Sequence, residues 1–210
     1  MTYYNKNYFD WQKNVGAFGG MANLFKFRDF IKPADKVVDF GCGGGYLLSS
    51  LHCKEVMGVE INDHAREEAK RNGVNVVKTA AELPDEWADV IISNNALEHV
   101  YRPLDELITL HKKLKKGGTV VFNIPHEKHY PYKPNDVNQH LYSWSPMCAG
   151  NIFTTAGFSV RKIETIWHKW PPGYYHIRKY MGQTLFDIIC STYGMLRRNW
   201  HQVRVVATKP

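Results

Sequence analysis

The stretch Val37-Val38-Asp39-Phe40-Gly41-Cys42-Gly43-Gly44-Gly45-Tyr46 constrains this chain more than any other. An apolar strand, Lys36 to Phe40, runs into a cluster of glycines, and a short apolar helix, Tyr46 to Leu51, is expected to follow. Glycine is needed where backbone turns with φ > 0 or lies against a ligand with no side chain between. A helix starting here would aim its free N–H groups and the positive end of its dipole at that ligand. The stretch therefore predicts a backbone cradle for a polar cofactor bearing a carboxylate or phosphate.

A dinucleotide-binding turn would require G-x-G-x-x-G. Gly41, Gly43 and Gly45 instead give G-x-G-x-G, and Tyr46 stands where the third small residue belongs. Asp39-Phe40-Gly41-Cys42-Gly43-Gly44-Gly45 resembles the first motif of the class I S-adenosylmethionine-dependent methyltransferases. The resemblance implies that S-adenosylmethionine is the cofactor. The backbone of Gly41, Cys42, Gly43 and Gly45 would hold its amino-acid end, and Asp39 would order the loop beside its ammonium.

The segments that follow extend this reading. Glu55 to Ile61 is a second apolar strand carrying a carboxylate, and Glu60 lies 17 residues beyond Gly43. That is near the spacing of the acid that binds a cofactor ribose. A carboxylate accepts from two vicinal hydroxyls at once, so Glu60, with neighbouring Ile61, is assigned to the cofactor. Asn62 or Asp63 starts a helix and Asn72-Gly73 stops it. A third strand, Val74 to Thr79, leads into Ala80-Ala81-Glu82-Leu83-Pro84. Here the family usually carries an acid and a small residue against the adenine edge. Thr79 replaces the acid, which leaves the backbone of Ala80 and Ala81 to read the ring. Glu82 is either a substitute acid or a charge at a helix start.

Trp87 to Val100 reads as a buried strand and a polar turn. Its Asp89-Val90-Ile91-Ile92-Ser93 and Leu97-Glu98-His99 resemble the family's fourth strand and the loop after it. The resemblance puts Ser93 and Asn94 against the cofactor, while His99 either faces the site or bonds to backbone. No Asn-Pro-Pro-Tyr-like sequence follows, which argues against methylation of a nucleobase nitrogen. Pro103 opens a helix, and Thr119 to Ile124 is a fifth strand. The loop from His126 to Ser145 contains His126, His129 and His140 and is the expected acceptor site. A hydroxyl acceptor must lose a proton, a task suited to histidine. His126 and His140 are the candidate bases, with His99 third. His126-Glu-Lys-His129 is one residue short of H-E-x-x-H, so no metal is expected. A helix from Ser145-Pro146 to about Ala156, then Gly157-Phe158, resembles methyltransferases acting on sugars, polysaccharides and related metabolites.

The expected fold is a single α/β domain over 1–210, a Rossmann-like doubly wound sheet of seven strands, mostly parallel. Phe158 to Ile166 is the sixth strand, and Gln202 to Thr208 the last, antiparallel. Residues 1–34 should form a lid and a helix from about Met21 to Ile31. Tyr8 to Trp11 would cover the cofactor, and Gly16, Gly19 and Gly20 would act as a hinge. Residues 35–168 with 201–210 form the cofactor-binding core, and 169–200 are a helical insertion. Its helix, Tyr174 to Arg197, carries an apolar stripe of Ile177, Met181, Leu185, Ile188 and Leu196. That stripe packs on the domain, meets a second copy in a homodimer, caps the acceptor pocket, or approaches a membrane surface through 174–198.

The chain carries a net charge of +7. From Arg161 onward there are nine Lys/Arg against two Asp/Glu, so the whole surplus lies in the last quarter. An anionic partner or a solvated surface fits this equally. Four cysteines without a C-x-x-C pair read as reduced thiols. With no signal-peptide pattern at the N-terminus, a cytoplasmic protein is expected. These features predict methyl transfer to a small-molecule, sugar or lipid-linked glycan acceptor, neutral or anionic, with oxygen as the acceptor atom. An RNA or protein methyltransferase is the alternative, although no nucleic-acid-binding motif is present. An NAD-dependent oxidoreductase is disfavoured by the glycine spacing.

Overall fold

The computed structural model describes residues 16–127, 131–134, 136–198 and 201–210. The expected lid at Tyr8 to Trp11, and His129, lie outside the described residues. Seven strands form one sheet: β1 (Lys36–Phe40), β2 (Glu55–Val59), β3 (Asn75–Val77), β4 (Ala88–Asn94), β5 (Leu114–His126), β6 (Ser159–Ile166) and β7 (His201–Thr208). Their order is β3-β2-β1-β4-β5-β7-β6. β7 runs antiparallel between β5 and β6, and the pairings from β3 through β5 are all parallel. This is the expected sheet, with chain order reversing between β1 and β4. In open α/β sheets that reversal opens a ligand crevice at the strands' carboxyl ends.

Successive strand residues point to opposite faces, and here both faces are covered. Val38, Ile91, Val120, Phe122 and Val205 pack with α3 (Pro103–Lys113) and α4 (Pro146–Thr155) through Leu107, Leu110 and Phe153. Val37, Ile92, Val121 and Val206 pack on the other side with Phe27, Leu48 and Ala69 of α2 (Asp63–Arg71). Asn62 caps α2, its side-chain oxygen accepting from the N–H groups of His64 and Ala65. Ser145 caps α4 in the same way, accepting from the Cys148 N–H.

The N-terminal segment departs from expectation. Residues 16–22 are helical (α1), and short 3-10 turns at Leu24–Lys26 and Arg28–Phe30 replace the helix expected to reach Ile31. Gly16, Gly19 and Gly20 lie inside α1. A Cβ on Gly20 would come within 2.7 Å of the Tyr46 backbone, and one on Gly16 within 3.0 Å of the Tyr46 ring. These glycines let α1 lie directly on the chain just after the glycine loop. The helix expected over Tyr46 to Leu51 is reduced to one 3-10 turn, Leu48–Ser50.

The insertion helix α5 (Tyr174–Arg197) has the expected bounds but breaks at Gly182, which sits at φ 73° and ψ 176°. The packed face also differs. Phe186, Cys190 and Gly194 are buried, four residues apart on one face. Gly194 brings the helix against the backbone of Trp167 to Lys169, and the Lys169 N–H donates to the Cys190 carbonyl at 3.1 Å. Met181, Leu185, Ile188 and Leu196 of the expected stripe are exposed, Leu196 by 78%. Cys190 and Gly194 allow the closer approach, Phe186 fills the space beside Ala22, and of the expected stripe only Ile177 packs against this cluster. Among the described residues no helix is long and apolar enough to cross a membrane. Part of the late positive charge is paired: Arg204 with Glu164, and Lys209 with Glu86.

Candidate functional site

The glycine loop joins the carboxyl end of β1, and its neighbours hold it in place. The N–H groups of Gly41 and Cys42 donate to the Val59 carbonyl at 2.8 and 3.1 Å. Asn72, at the end of α2, donates its side-chain N–H to the Gly44 carbonyl at 2.8 Å. Gly41, Gly43 and Gly45 all have positive φ, at 79°, 53° and 75°. Gly41 presses on Ala96 in the turn after β4, whereas among the described residues the space around Gly43 is open.

Glu60 clasps this loop. One carboxylate oxygen accepts from the Gly43 N–H at 2.9 Å and the other from the Asn62 N–H at 2.8 Å. Burial raises the Glu60 pKa, and the N–H groups of Asn62 and Gly43 oppose that shift. Each oxygen keeps a second lone pair for a ligand hydroxyl. Asp39 is buried at the end of β1, and among the described residues its carboxylate has no hydrogen-bond partner. Burial, and then the Glu60 charge, push its pKa up to about 7. Such a group is poised to receive a cation.

The remaining predicted cofactor residues divide. Ile61 is 57% exposed beside Glu60 and offers an apolar surface at the end of β2. The Cys42 side chain turns under the loop, within contact of Gly58 on β2, and burial raises its thiol pKa well above the usual range. Only its backbone remains for a ligand. Ala80 is buried in the core, and the Ala81 carbonyl accepts from Lys113 Nζ at 3.1 Å. Glu82 accepts from the Thr79 N–H and hydroxyl at 3.0 and 2.9 Å, which makes it a charge at a helix start. Ser93 is fully buried, its hydroxyl donating to the Phe40 carbonyl at 2.8 Å and tying β4 to β1. The Asn94 side-chain oxygen accepts from Lys26 Nζ at 3.1 Å.

Lys26 escaped sequence reasoning. It is buried, and its ammonium also donates to Gln202 Oε1 at 2.6 Å, while Gln202 Nε2 donates to Asn95 Oδ1 at 2.6 Å. Burial, and then Arg204, lower its pKa to about 7. This network ties Lys26 to Gln202 at the start of β7 across 176 residues, and Gln202 to Asn95 after β4 across 107. Beside it on β5, Asn123 is fully buried with neither amide atom bonded among the described residues. No local pattern marks either residue.

The three predicted histidines also divide. His126 Nδ1 lies 2.9 Å from the Trp144 carbonyl, and its ring is tilted against His201 with centroids 4.5 Å apart. His99 and His140 meet each other, with ring centroids 4.9 Å apart. Glu98 sits beneath both, fully buried. Its Oε1 is 3.9 Å from Nε2 of each histidine. The Glu98 carbonyl accepts from the N–H groups of Leu141 and Tyr142, which draws the acceptor loop onto the turn after β4. Burial, and then His140, lower the His99 pKa to about 4, so its ring is neutral at pH 7.

A family model described as a methyltransferase domain matches residues 17–163. Ubiquinone biosynthesis O-methyltransferases are similar over shorter stretches. The Roseobacter denitrificans protein is 27% identical over 135 residues, covering 57% of this chain and 54% of its own length. The Erwinia tasmaniensis protein is 37% identical over 100 residues, covering 42% and 41%. The chain thus spans about half or less of the curated relatives it matches. Among solved structures, a Thermotoga maritima methyltransferase described as a possible histamine N-methyltransferase superposes with a TM-score of 0.69 at 20% identity. That match covers 97% of this chain and 96% of the other. The family match, the sheet order and the clasped glycine loop agree: this chain belongs to the methyltransferase-domain family, with the class I S-adenosylmethionine-dependent fold.

Proposed function

We propose that this chain transfers the methyl group of S-adenosylmethionine to a hydroxyl of a small-molecule, sugar or lipid-linked glycan acceptor. The observation that carries this reading is the meeting of His99 and His140 over Glu98, in the turn whose Ala96 touches the glycine loop. Methyl transfer needs the acceptor oxygen aligned behind the methyl–sulfur bond, and alignment alone lowers the barrier by up to about 7–11 kcal/mol. It also needs the hydroxyl proton removed. His140 and His126 are the candidate bases. With Nδ1–H donated to the Trp144 carbonyl, His126 would keep its Nε2 lone pair for that task. The O-methyltransferase names of two relatives favour oxygen over nitrogen.

In this reading Glu60 accepts from the cofactor ribose and Ile61 packs on the adenine, while the backbone of Gly41 and Gly43 and the Asp39 carboxylate receive the amino-acid end. One consequence is a proton signal. Asp39, held at about 7, is partly protonated at neutral pH. An arriving ammonium favours the carboxylate and lowers that pKa. Binding S-adenosylhomocysteine should then release protons near and below pH 7, and affinity should rise as pH climbs from 5 to about 7.5. Calorimetry in buffers of different ionisation enthalpy reads this directly, and an Asp39→Asn variant should lose the proton release.

The function itself is tested with methyl-labelled S-adenosylmethionine and an extract of the source cells, separated into lipid-linked glycan, small-molecule, RNA and protein fractions. Label in a glycan or small-molecule fraction, lost in Glu60→Ala, is the expected result. Label confined to RNA or protein overturns the reading and gives the basic last quarter a docking role.

A further inference from the structure

We infer that Glu98, His99 and His140 form a binding site for one divalent transition-metal ion, with Glu127 orienting His140 from behind. One ligand-capable atom from each of Glu98, His99 and His140 lies within 4.8 Å of the other two. Glu98 makes the argument more than proximity. Its carboxylate is fully buried, and among the described residues neither oxygen has a hydrogen-bond partner. An isolated carboxylate is strongly disfavoured in such a place unless a cation compensates it. Its Oε1 instead faces Nε2 of both histidines.

The spacing suits an ion. Two ligands each about 2.1 Å from a tetrahedral metal lie roughly 3.4 Å apart. The two 3.9 Å separations from Glu98 need to close by about half an ångström, all three ligand atoms already lie within 4.8 Å, and the His99 ring would exchange its bond to the Gln139 backbone for the ion. Two imidazoles and one carboxylate are donors for Zn²⁺, Co²⁺, Fe²⁺ or Mn²⁺, and a poor set for Ca²⁺ or Mg²⁺, which prefer all-oxygen shells. Three protein ligands also leave a position open, the pattern of sites that act on a substrate. The second nitrogen of His140, Nδ1, lies 3.0 Å from Glu127 Oε2, an ion-pair contact rather than an aligned hydrogen bond. A carboxylate behind a metal-bound imidazole fixes the ring and raises its basicity. The absence of a metal expected from the sequence rested on a different pair, His126 and His129.

The site's role in transfer rests on the hydroxyl-acceptor reading above, but the site itself does not. At the open position the ion would lower the pKa of an acceptor hydroxyl. With His140 held by the ion, the proton passes to solvent or to His126, the other candidate base, and the oxygen lone pair forms the bond to the methyl carbon. The carbon–sulfur bond breaks with its electron pair going to sulfur, leaving a methyl ether and the neutral thioether.

The test uses tag-free full-length protein, stripped with chelator and titrated with Co²⁺, whose visible absorption reports imidazole and carboxylate coordination. One equivalent should bind with d–d bands, and Zn²⁺ should displace it. His140→Ala should abolish the bands. Glu127→Ala should weaken binding by about 10–100-fold, the usual effect of losing an outer-shell partner. Because Glu98 is so deeply buried, its replacement can disturb folding, so the decision rests on His140→Ala, with S-adenosylhomocysteine binding as the check that it is folded. Absent saturable Co²⁺ binding, or binding unchanged in folded His140→Ala, overturns the inference. Cofactor binding with no metal binding overturns it while leaving the proposed function standing.

Discussion

Gly41→Ala should unfold the cofactor end of the sheet at temperatures where Gly43→Ala remains intact. Both positions have positive φ, which costs an L-residue about 1–2 kcal/mol. They differ in what a Cβ meets. At Gly41 it would stand 2.3 Å from the Ala96 Cβ, an overlap that neither chain segment can relieve without moving backbone. At Gly43 nothing among the described residues lies within 4 Å. Forced overpacking adds roughly 1–3 kcal/mol, so Gly41→Ala should cost about 2–5 kcal/mol. In a chain of this length that lowers Tm by roughly 5–20 °C. Gly43→Ala should show only the φ penalty. Its methyl group would instead project into the open space assigned to the cofactor, so binding should suffer out of proportion to stability. Thermal denaturation of the two variants, beside cofactor titrations, separates the effects. Equal Tm losses would contradict the contact with Ala96.

Glu60→Ala carries the second large effect. Each Glu60 oxygen accepts from a backbone N–H, one on the glycine loop and one at the start of α2. Hydrogen bonds to a charged group contribute about 1.5–3 kcal/mol each, and the proposed ribose bonds draw on the same carboxylate. Removing it frees the Gly43 and Asn62 N–H groups and loosens the loop before any ligand arrives. Affinity for S-adenosylhomocysteine should fall by about 3 kcal/mol, roughly 100-fold or more. Glu60→Gln should be nearly as damaging, because its amide NH₂ would face one of the two N–H donors. Calorimetric titration decides the matter. A change below about threefold in both variants would mean that the clasp does not shape the site.

Much of this architecture was legible locally. β1 has the bounds its apolar run predicted, Asn62 and Ser145 cap the helices they precede, and the glycine spacing required three left-handed residues. Glu60 was found by its distance from Gly43. Each of these signals lives within a few residues of backbone: a strand period, a cap, a turn that only glycine makes freely. The same signals carry the chain order that dictates the sheet.

The tertiary structure decided whatever depends on what lies opposite. Cys42 faces Gly58 and not the ligand side because β2 leaves room for its sulfur there. The Ser93 hydroxyl ties β4 to β1 because the Phe40 carbonyl lies within its reach. α5 turned Phe186, Cys190 and Gly194 inward because Gly194 lets the helix meet the backbone of 167–169, which left Met181, Leu185, Ile188 and Leu196 outside. Lys26 and Gln202 are brought together only by the folding of distant segments. So is the grouping of Glu98 and His99 with His140, two segments about forty residues apart, joined when the Leu141 N–H finds the Glu98 carbonyl. A linear sequence specifies where backbone turns and which residues are apolar. Which polar side chains share one buried space is set by packing between distant segments, and that decision belonged to the folded chain.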